Sequence, residues 1–431
     1  MSGTGLRNAE IDAALNDAKE LYLARNTLSL ARYLDATTVM PGGNTRSVLH
    51  YPPFPLAMSR AEGCRLWDAD GHAYIDFLGD YTAGLYGHSH PAIRAAVDAA
   101  LDGGISLGAS NMTEARFARA ICERFGLQRV RFANSGTEAN LLAVSLGRIV
   151  TRRKSVMVFG GSYHGSLLGF AGDGSPMNVP FETIVAPYND FERTRALITA
   201  DLALVLVEPM IGSGGCIPAT AEFLKMLREE TNRAGALLIF DEVMTSRLAP
   251  GGLQSVTGVQ PDLTTLGKYL GGGMSFGAFG GRGEVMDRFD PRRSDALPHA
   301  GTFNNNVLSM AAGLAGLTEV YTADAAVALN ARGDALRARL NRLCGDAPLQ
   351  FTGIGSMLAV HAARGPVTCP ADAARADQKL KELFFFDMLS HGIWLARRGM
   401  MALSLPIGDA ECDALAAAVE EFLSARRSLL V

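Results

Sequence analysis

ALLIFDE, residues 236–242, sets five apolar side chains in a row and then two carboxylates. SVMVFGG (155–161) and ALVLVEP (203–209) follow the same pattern, and the stretch FLKMLREETNRAG before ALLIFDE is helical in pattern. Continuous apolar runs bounded by turn residues fit strands buried on both faces. Strands that alternate with helices imply a mostly parallel sheet, whose ligands collect at the strand carboxyl ends. Glu208 and Asp241 each close such a run. A carboxylate leaving a buried strand is costly unless it meets a cation. That cation is either a structural basic residue or part of a ligand.

TTLGKYLGGG, residues 264–273, places Lys268 between Gly267 and three glycines, after another strand-like run. Glycine lets a backbone approach something bulky, and a partly dry lysine loses its proton easily. The pair suggests a lysine kept for covalent chemistry. In NSGTEANLLAVSLGRIV (134–150), Ser135, Gly136 and Thr137 open a strongly helical run. Free backbone N–H groups, two hydroxyls and the positive end of the helix dipole meet there, as in an anion site, although Ser and Thr also serve as ordinary N-caps. GSYHG (161–165) sets Tyr163 on a loop after a strand, where its ring either stacks on a flat ligand or packs. Together, a phosphate at Ser135–Thr137, a protonated ring nitrogen at Asp241, an aromatic face at Tyr163 and an aldehyde at Lys268 describe pyridoxal 5′-phosphate.

The bulk composition agrees with an enzyme. At 431 residues the chain exceeds one ordinary hydrophobic core. Its net charge is −4 and its Lys and Arg are scattered, which is no nucleic-acid footprint. Six cysteines lack CxxC spacing and read as reduced thiols, with no metal site implied. The N-terminus is polar and patterned like an amphipathic helix rather than a signal peptide, and no window reaches the ~18 apolar residues of a membrane span. The expected location is the cytoplasm. A helix, a Pro/Gly-rich stretch and strand-like RLWDADGHAYIDF fill residues 1–75, while residues 321–431 combine long helices with short apolar runs. These two ends are expected to form one smaller domain beside a large domain over 76–320.

The order and spacing of LWDADGHAYIDFLGDYTAGLYGHSHP, NSGTEAN, GSYHG, VEP, FDEVMTSR, TTLGKYLGGG and GTFNNN resemble the class III aminotransferases of pyridoxal-phosphate fold type I. The resemblance implies an α/β large domain on a mostly parallel sheet, a smaller α+β domain, and a homodimer with shared active sites. It also implies Lys268 as the covalent anchor and base, Asp241 at the ring nitrogen, Glu208 near the ring, and Thr302 as a phosphate ligand from the neighbouring subunit. PGGNTRSVLHYPPFPL (41–56) and RRGMMALSLP (397–406), with YTAGLYGHS and SRLAPGGLQ, are especially similar to aromatic β-amino acid (β-phenylalanine) aminotransferases. In that likeness Arg46 binds the substrate carboxylate and Arg398 engages the keto-acid acceptor, usually 2-oxoglutarate. Val48, Tyr81, Met400 and Met401 shape an apolar pocket. Guanidinium forks suit carboxylates because they pair bidentately. Ile211 departs from the pattern, where related sequences often carry a polar residue. Glutamate-1-semialdehyde 2,1-aminomutase shares the cofactor motifs and is the competing assignment. A cofactor-binding regulator is disfavoured because no basic appendage is present.

Overall fold

The three apolar runs form the strands Ser155–Phe159, Leu202–Val207 and Leu237–Asp241 in a computed structural model, and every residue in them is buried. The structure describes residues 3–430, with side chains from Glu10 onward. Met1, Ser2 and Val431, at the outer ends of the expected terminal parts, lie outside the described residues. The runs join a seven-stranded sheet in the order 129–133, 277–281, 263–267, 237–241, 202–207, 155–159, 183–186. Only Gly277–Gly281 runs antiparallel to its neighbours. This strand reads GAFGG because Cβ atoms at Gly277, Gly280 and Gly281 would lie 2.1–2.3 Å from backbone oxygens of Ser135, Arg129 and Asp262.

Alternate residues of each strand enter different layers. Met157, Phe159, Val205, Val207, Leu238 and Phe240 pack with Phe223, Leu224 and Leu227 of the helix Ala221–Ala234. On the other face Val156, Val158, Leu204, Leu206 and Ile239 meet Ala139, Ala143, Val144 and Leu146 of the helix Gly136–Thr151. Each fully buried Leu, Ile or Phe of these layers contributes about 1.5–3 kcal/mol relative to exposure.

The chain ends meet. Ile393–Trp394 pairs in parallel with Ala73–Asp76, extending a sheet whose other strands are Met58–Glu62 and Arg65–Asp68. Lys379 pairs with Asp12 and Lys19 with Glu382, linking the helices Gly3–Arg25 and Gln378–Ser390. Gln350–Ile354, Met357–His361 and Met400–Ala402 form a further antiparallel sheet. No described helix is long and apolar enough to cross a membrane.

Candidate active site

Ser135, Tyr163, Glu208, Asp241 and Lys268 all follow or close carboxyl ends of parallel strands, so the sheet alone brings them to one edge. Lys268 leaves its strand with φ of +54°, a left-handed conformation that costs a residue with a Cβ about 1–2 kcal/mol. Two of the three glycines after it serve the protein's own packing. A Cβ on Gly271 would stand 2.6 Å from the Phe276 Cβ, and one on Gly272 would stand 2.5 Å from the Ala312 carbonyl oxygen. The bulky object admitted by Gly271 and Gly272 is thus Phe276 and the helix Val307–Ala315. Burial pushes the Lys268 ammonium below the ordinary lysine range; Asp241 and Asp80 pull it back up, and Arg46 and Arg398 push it down. These four charges therefore surround the amine closely enough to influence its titration.

Asp241 is buried and held from behind. Its Oδ2 accepts from Asn140 Nδ2 at 2.8 Å and lies 2.7 Å from His164 Nδ1, and its Oδ1 accepts from the Val243 N–H at 3.0 Å. Thr265 in turn donates to Asn140 Oδ1 at 2.7 Å. Among the described residues no basic side chain other than His164 pairs with Asp241, so the structural arginine or lysine that its position allowed is not what it meets. Glu208 accepts the Tyr163 N–H at 2.9 Å on Oε1 and the Gly212 N–H at 3.0 Å on Oε2. Burial, reinforced by Asp241 and opposed by His164, pushes its carboxyl up to about 7. Glu208 thus ties the GSYHG loop to the loop after Ile211. Ile211 itself is buried in the apolar layer, and the Glu208 contact is to backbone, so the unusual side chain leaves that contact intact.

Ser135 is the N-cap of the helix Gly136–Thr151, its Oγ accepting the Glu138 N–H at 3.2 Å. The N–H groups of Gly136 and Thr137 precede the helical ladder and remain available. Glu138 is folded back onto the Asn134 N–H at 2.7 Å. A Cβ on Gly165, whose φ is +118°, would stand 2.3 Å from Thr137 Oγ1, so the GSYHG loop closes directly over this corner. Tyr163 is 49% exposed. Thr302 is exposed on a loop tethered to the same corner, where Asn134 Nδ2 donates to Asn304 Oδ1 at 3.0 Å.

The two arginines converge from opposite ends of the chain. The guanidinium carbons of Arg46 and Arg398 lie 5.5 Å and 5.1 Å from the centroid of the Tyr81 ring. Tyr81 donates its hydroxyl to the Val48 carbonyl at 3.2 Å. It stands in a run of three left-handed residues, Asp80, Tyr81 and Thr82. The buried Arg247 donates to the carbonyls of Thr82, at 3.4 Å, and Leu403. Arg46 pairs with Asp80 at 2.7 Å, with its side chain 45% exposed. Met400 packs with Tyr81, whereas Met401, one residue on in the same strand, points into the main core with Leu358 and Leu403. Strand alternation separates the two, so Met401 does not line the side that Tyr81 faces.

Sequence reasoning missed Asn140, His164, Thr265, Asp80 and Val243. His164 carried a signal, being adjacent to Tyr163 after a buried strand; the others are defined by partners far away in sequence. The donor set fits pyridoxal phosphate: a helix start with free N–H groups, a carboxylate clamped at a strand end, and a desolvated lysine between them. Among the described residues no group of three or more His, Cys, Asp or Glu side chains is placed to hold a metal.

Known proteins resemble this chain in sequence and fold. The chain is 52% identical to a β-phenylalanine transaminase of Variovorax paradoxus over 99% of both chains. The solved structure of a β-phenylalanine aminotransferase from that organism matches with a TM-score of 0.96 over 97% of this chain and 99% of that one, at 52% identity. A glutamate-1-semialdehyde 2,1-aminomutase of Heliobacterium modesticaldum is 36% identical over 90% of this chain and 95% of its own. The family model for class III aminotransferases matches residues 48–423. The chain belongs to the class III aminotransferases and is a pyridoxal-phosphate-dependent transaminase.

Proposed function

We propose that the enzyme moves the amino group of an aromatic β-amino acid to 2-oxoglutarate or a similar keto acid in a ping-pong sequence, the donor leaving as a keto acid before the acceptor binds. The observation that carries this reading is the pair of arginines on one aromatic ring, both acting on Lys268. Two carboxylate-binding groups beside one amine suit a donor and an acceptor that each carry a carboxylate. The likeness to a β-phenylalanine transaminase supports the same donor class.

In this reading Ser135, Gly136 and Thr137 hold the phosphate, Tyr163 covers the ring, Asp241 keeps a proton on the ring nitrogen, and Thr302 of the partner subunit completes the phosphate site in a homodimer. Glu208 positions the Tyr163 loop. Bound pyridoxal phosphate supplies an aldehyde for amines and a ring that accepts the electron pair of a broken C–H bond. The Nζ of Lys268, whose charged form burial disfavours, takes the proton from the donor carbon that bears nitrogen and returns one to the keto carbon of the acceptor. Arg46 binds the donor carboxylate by displacing Asp80, Arg398 binds the acceptor, and Tyr81, Val48 and Met400 face the aryl group. Residues 76–320 form the cofactor domain, and 1–75 with 321–431 form the smaller one.

The test is a panel of amines with 2-oxoglutarate and pyruvate, following both products. Glutamate accumulating in step with an aromatic β-keto acid is the expected outcome. Conversion of a semialdehyde without consumption of any keto acid would replace the reading with an aminomutase.

A further inference from the structure

Asp76 ends the strand Ala73–Asp76 and is buried, and the chemistry described so far does not use it. Its Oδ1 accepts the N–H groups of Leu78 and Gly79, both at 2.9 Å, and its Oδ2 lies 3.0 Å from His88 Nε2. The His88 backbone N–H donates to the Gly63 carbonyl at 2.8 Å, and that of Asp76 to the Cys64 carbonyl at the same length. The loop 77–87 is thus clasped at its base, its two ends tied to each other and to one turn. Inside the clasp the backbone is strained. From Gly79 to Thr82 four successive residues have positive φ, of 53°, 42°, 55° and 81°, and only the first is glycine. In the other three the Cβ crowds the following carbonyl oxygen, so such a run persists only where outside contacts hold it. Asp76 holds its entry through the Gly79 N–H, and Arg247 holds its exit through the Thr82 carbonyl. Between these two holds stands Tyr81, the ring against which both Arg46 and Arg398 lie.

We propose that Asp76 and His88 are positioning residues for substrate binding: their clasp keeps the run left-handed and so sets the Tyr81 ring between the two guanidinium groups. The inference rests on the reading that Arg46 and Arg398 take the donor and acceptor carboxylates, and it adds the device that places them. Neither residue of the clasp touches substrate. An unclasped loop spends part of its time relaxed, and apparent affinity falls with the fraction of molecules that remain competent. Because one ring serves both arginines, donor and acceptor lose affinity together. Ser135, Asp241 and Lys268 stand on other elements, so cofactor binding and proton transfer do not depend on the clasp.

The experiment follows steady-state transfer from a β-amino acid to 2-oxoglutarate in the holoenzyme and in His88→Leu, His88→Gln, Arg46→Ala and Arg398→Ala, with spectral titration of each apoenzyme by pyridoxal phosphate. Loss of one hydrogen bond of the clasp predicts KM raised about two- to tenfold for donor and acceptor alike in His88→Leu, with kcat nearly unchanged. His88→Gln, whose amide nitrogen can stand where Nε2 does, should bring both KM values back to within about twofold of wild type. Cofactor affinity should be that of the wild type in both His88 variants, which also shows that they fold. A His88→Leu protein that melts lower but keeps both KM values, raises only one of them, or loses cofactor affinity in step with them would overturn the positioning role. If Arg46→Ala and Arg398→Ala leave both KM values unchanged, the reading of the two arginines falls, and the inference with it.

Discussion

Arg46 already holds a carboxylate, that of Asp80, and this gives the substrate a competitor built into the chain. Removing the competitor by Asp80→Asn should tighten the binding of a β-amino acid. The pair lies at 2.7 Å with side chains 45% and 58% exposed, so it is worth about 0.2–1 kcal/mol rather than the several of a buried pair. The KM for a carboxylate donor should fall about 1.4- to 5-fold, with kcat nearly unchanged. Arg46→Ala should do the opposite. A charged hydrogen bond contributes about 1.5–3 kcal/mol, and the displaced Asp80 pair returns part of it, leaving roughly 1–2.5 kcal/mol. That is about 5- to 70-fold in kcat/KM, reaching only the low end of the roughly 30- to 5,000-fold that a site sealed from water would give. The assay is steady-state amino transfer with a β-amino acid and with an amine of the same shape lacking the carboxylate, in both single variants and the double variant. In the Arg46→Ala background the Asp80 effect should vanish. A KM that rises in Asp80→Asn, or falls equally without Arg46, would refute the competition.

Gly165→Ala forces a Cβ to within 2.3 Å of Thr137 Oγ1 at a φ of +118°, so it should weaken cofactor binding by at least tenfold, read by spectral titration of the apoenzyme. For Glu208 the folded carboxyl titrates near 7 and the free one near 4.5. A raised acid stabilises the fold fully only below the lower value, so the wild type loses up to roughly 3 kcal/mol as pH rises from 4.5 to 7. The melting temperature of Glu208→Gln relative to wild type should therefore climb across that window, and a constant difference would contradict the shift.

The sheet was legible because burial on both faces demands unbroken apolar runs, and each of the three runs became a strand within one or two residues. The carboxyl-end placement of Glu208, Asp241 and Lys268 followed from parallel pairing alone. What stayed hidden depends on distant contacts. Asp241 meets His164 and Asn140 from 77 and 101 residues away in sequence, with no local pattern to announce them. The left-handed run at Asp80–Thr82 contains no glycine, the usual mark of positive φ, and is held by Arg247 from the other side of the core. The glycines after Lys268 were visible, but sequence alone does not tell a close approach by protein from one by ligand. The two methionines at 400 and 401 could be separated only once their strand was known.

The glycine strand 277–281 also sets a length. Gly277 pairs with Ala133 on one side and Gly267 on the other, so the anion corner and the lysine stand two strand spacings apart, about 10 Å. Asp241, paired with Thr265 on the next strand, lies one spacing further on. The sheet thus acts as a ruler laid across the cofactor, graduated in backbone hydrogen bonds. With the Ser135 backbone filling the space where a Cβ of Gly277 would stand, side-chain changes around the pocket can alter which substrate is chosen while the distance from phosphate corner to lysine stays fixed.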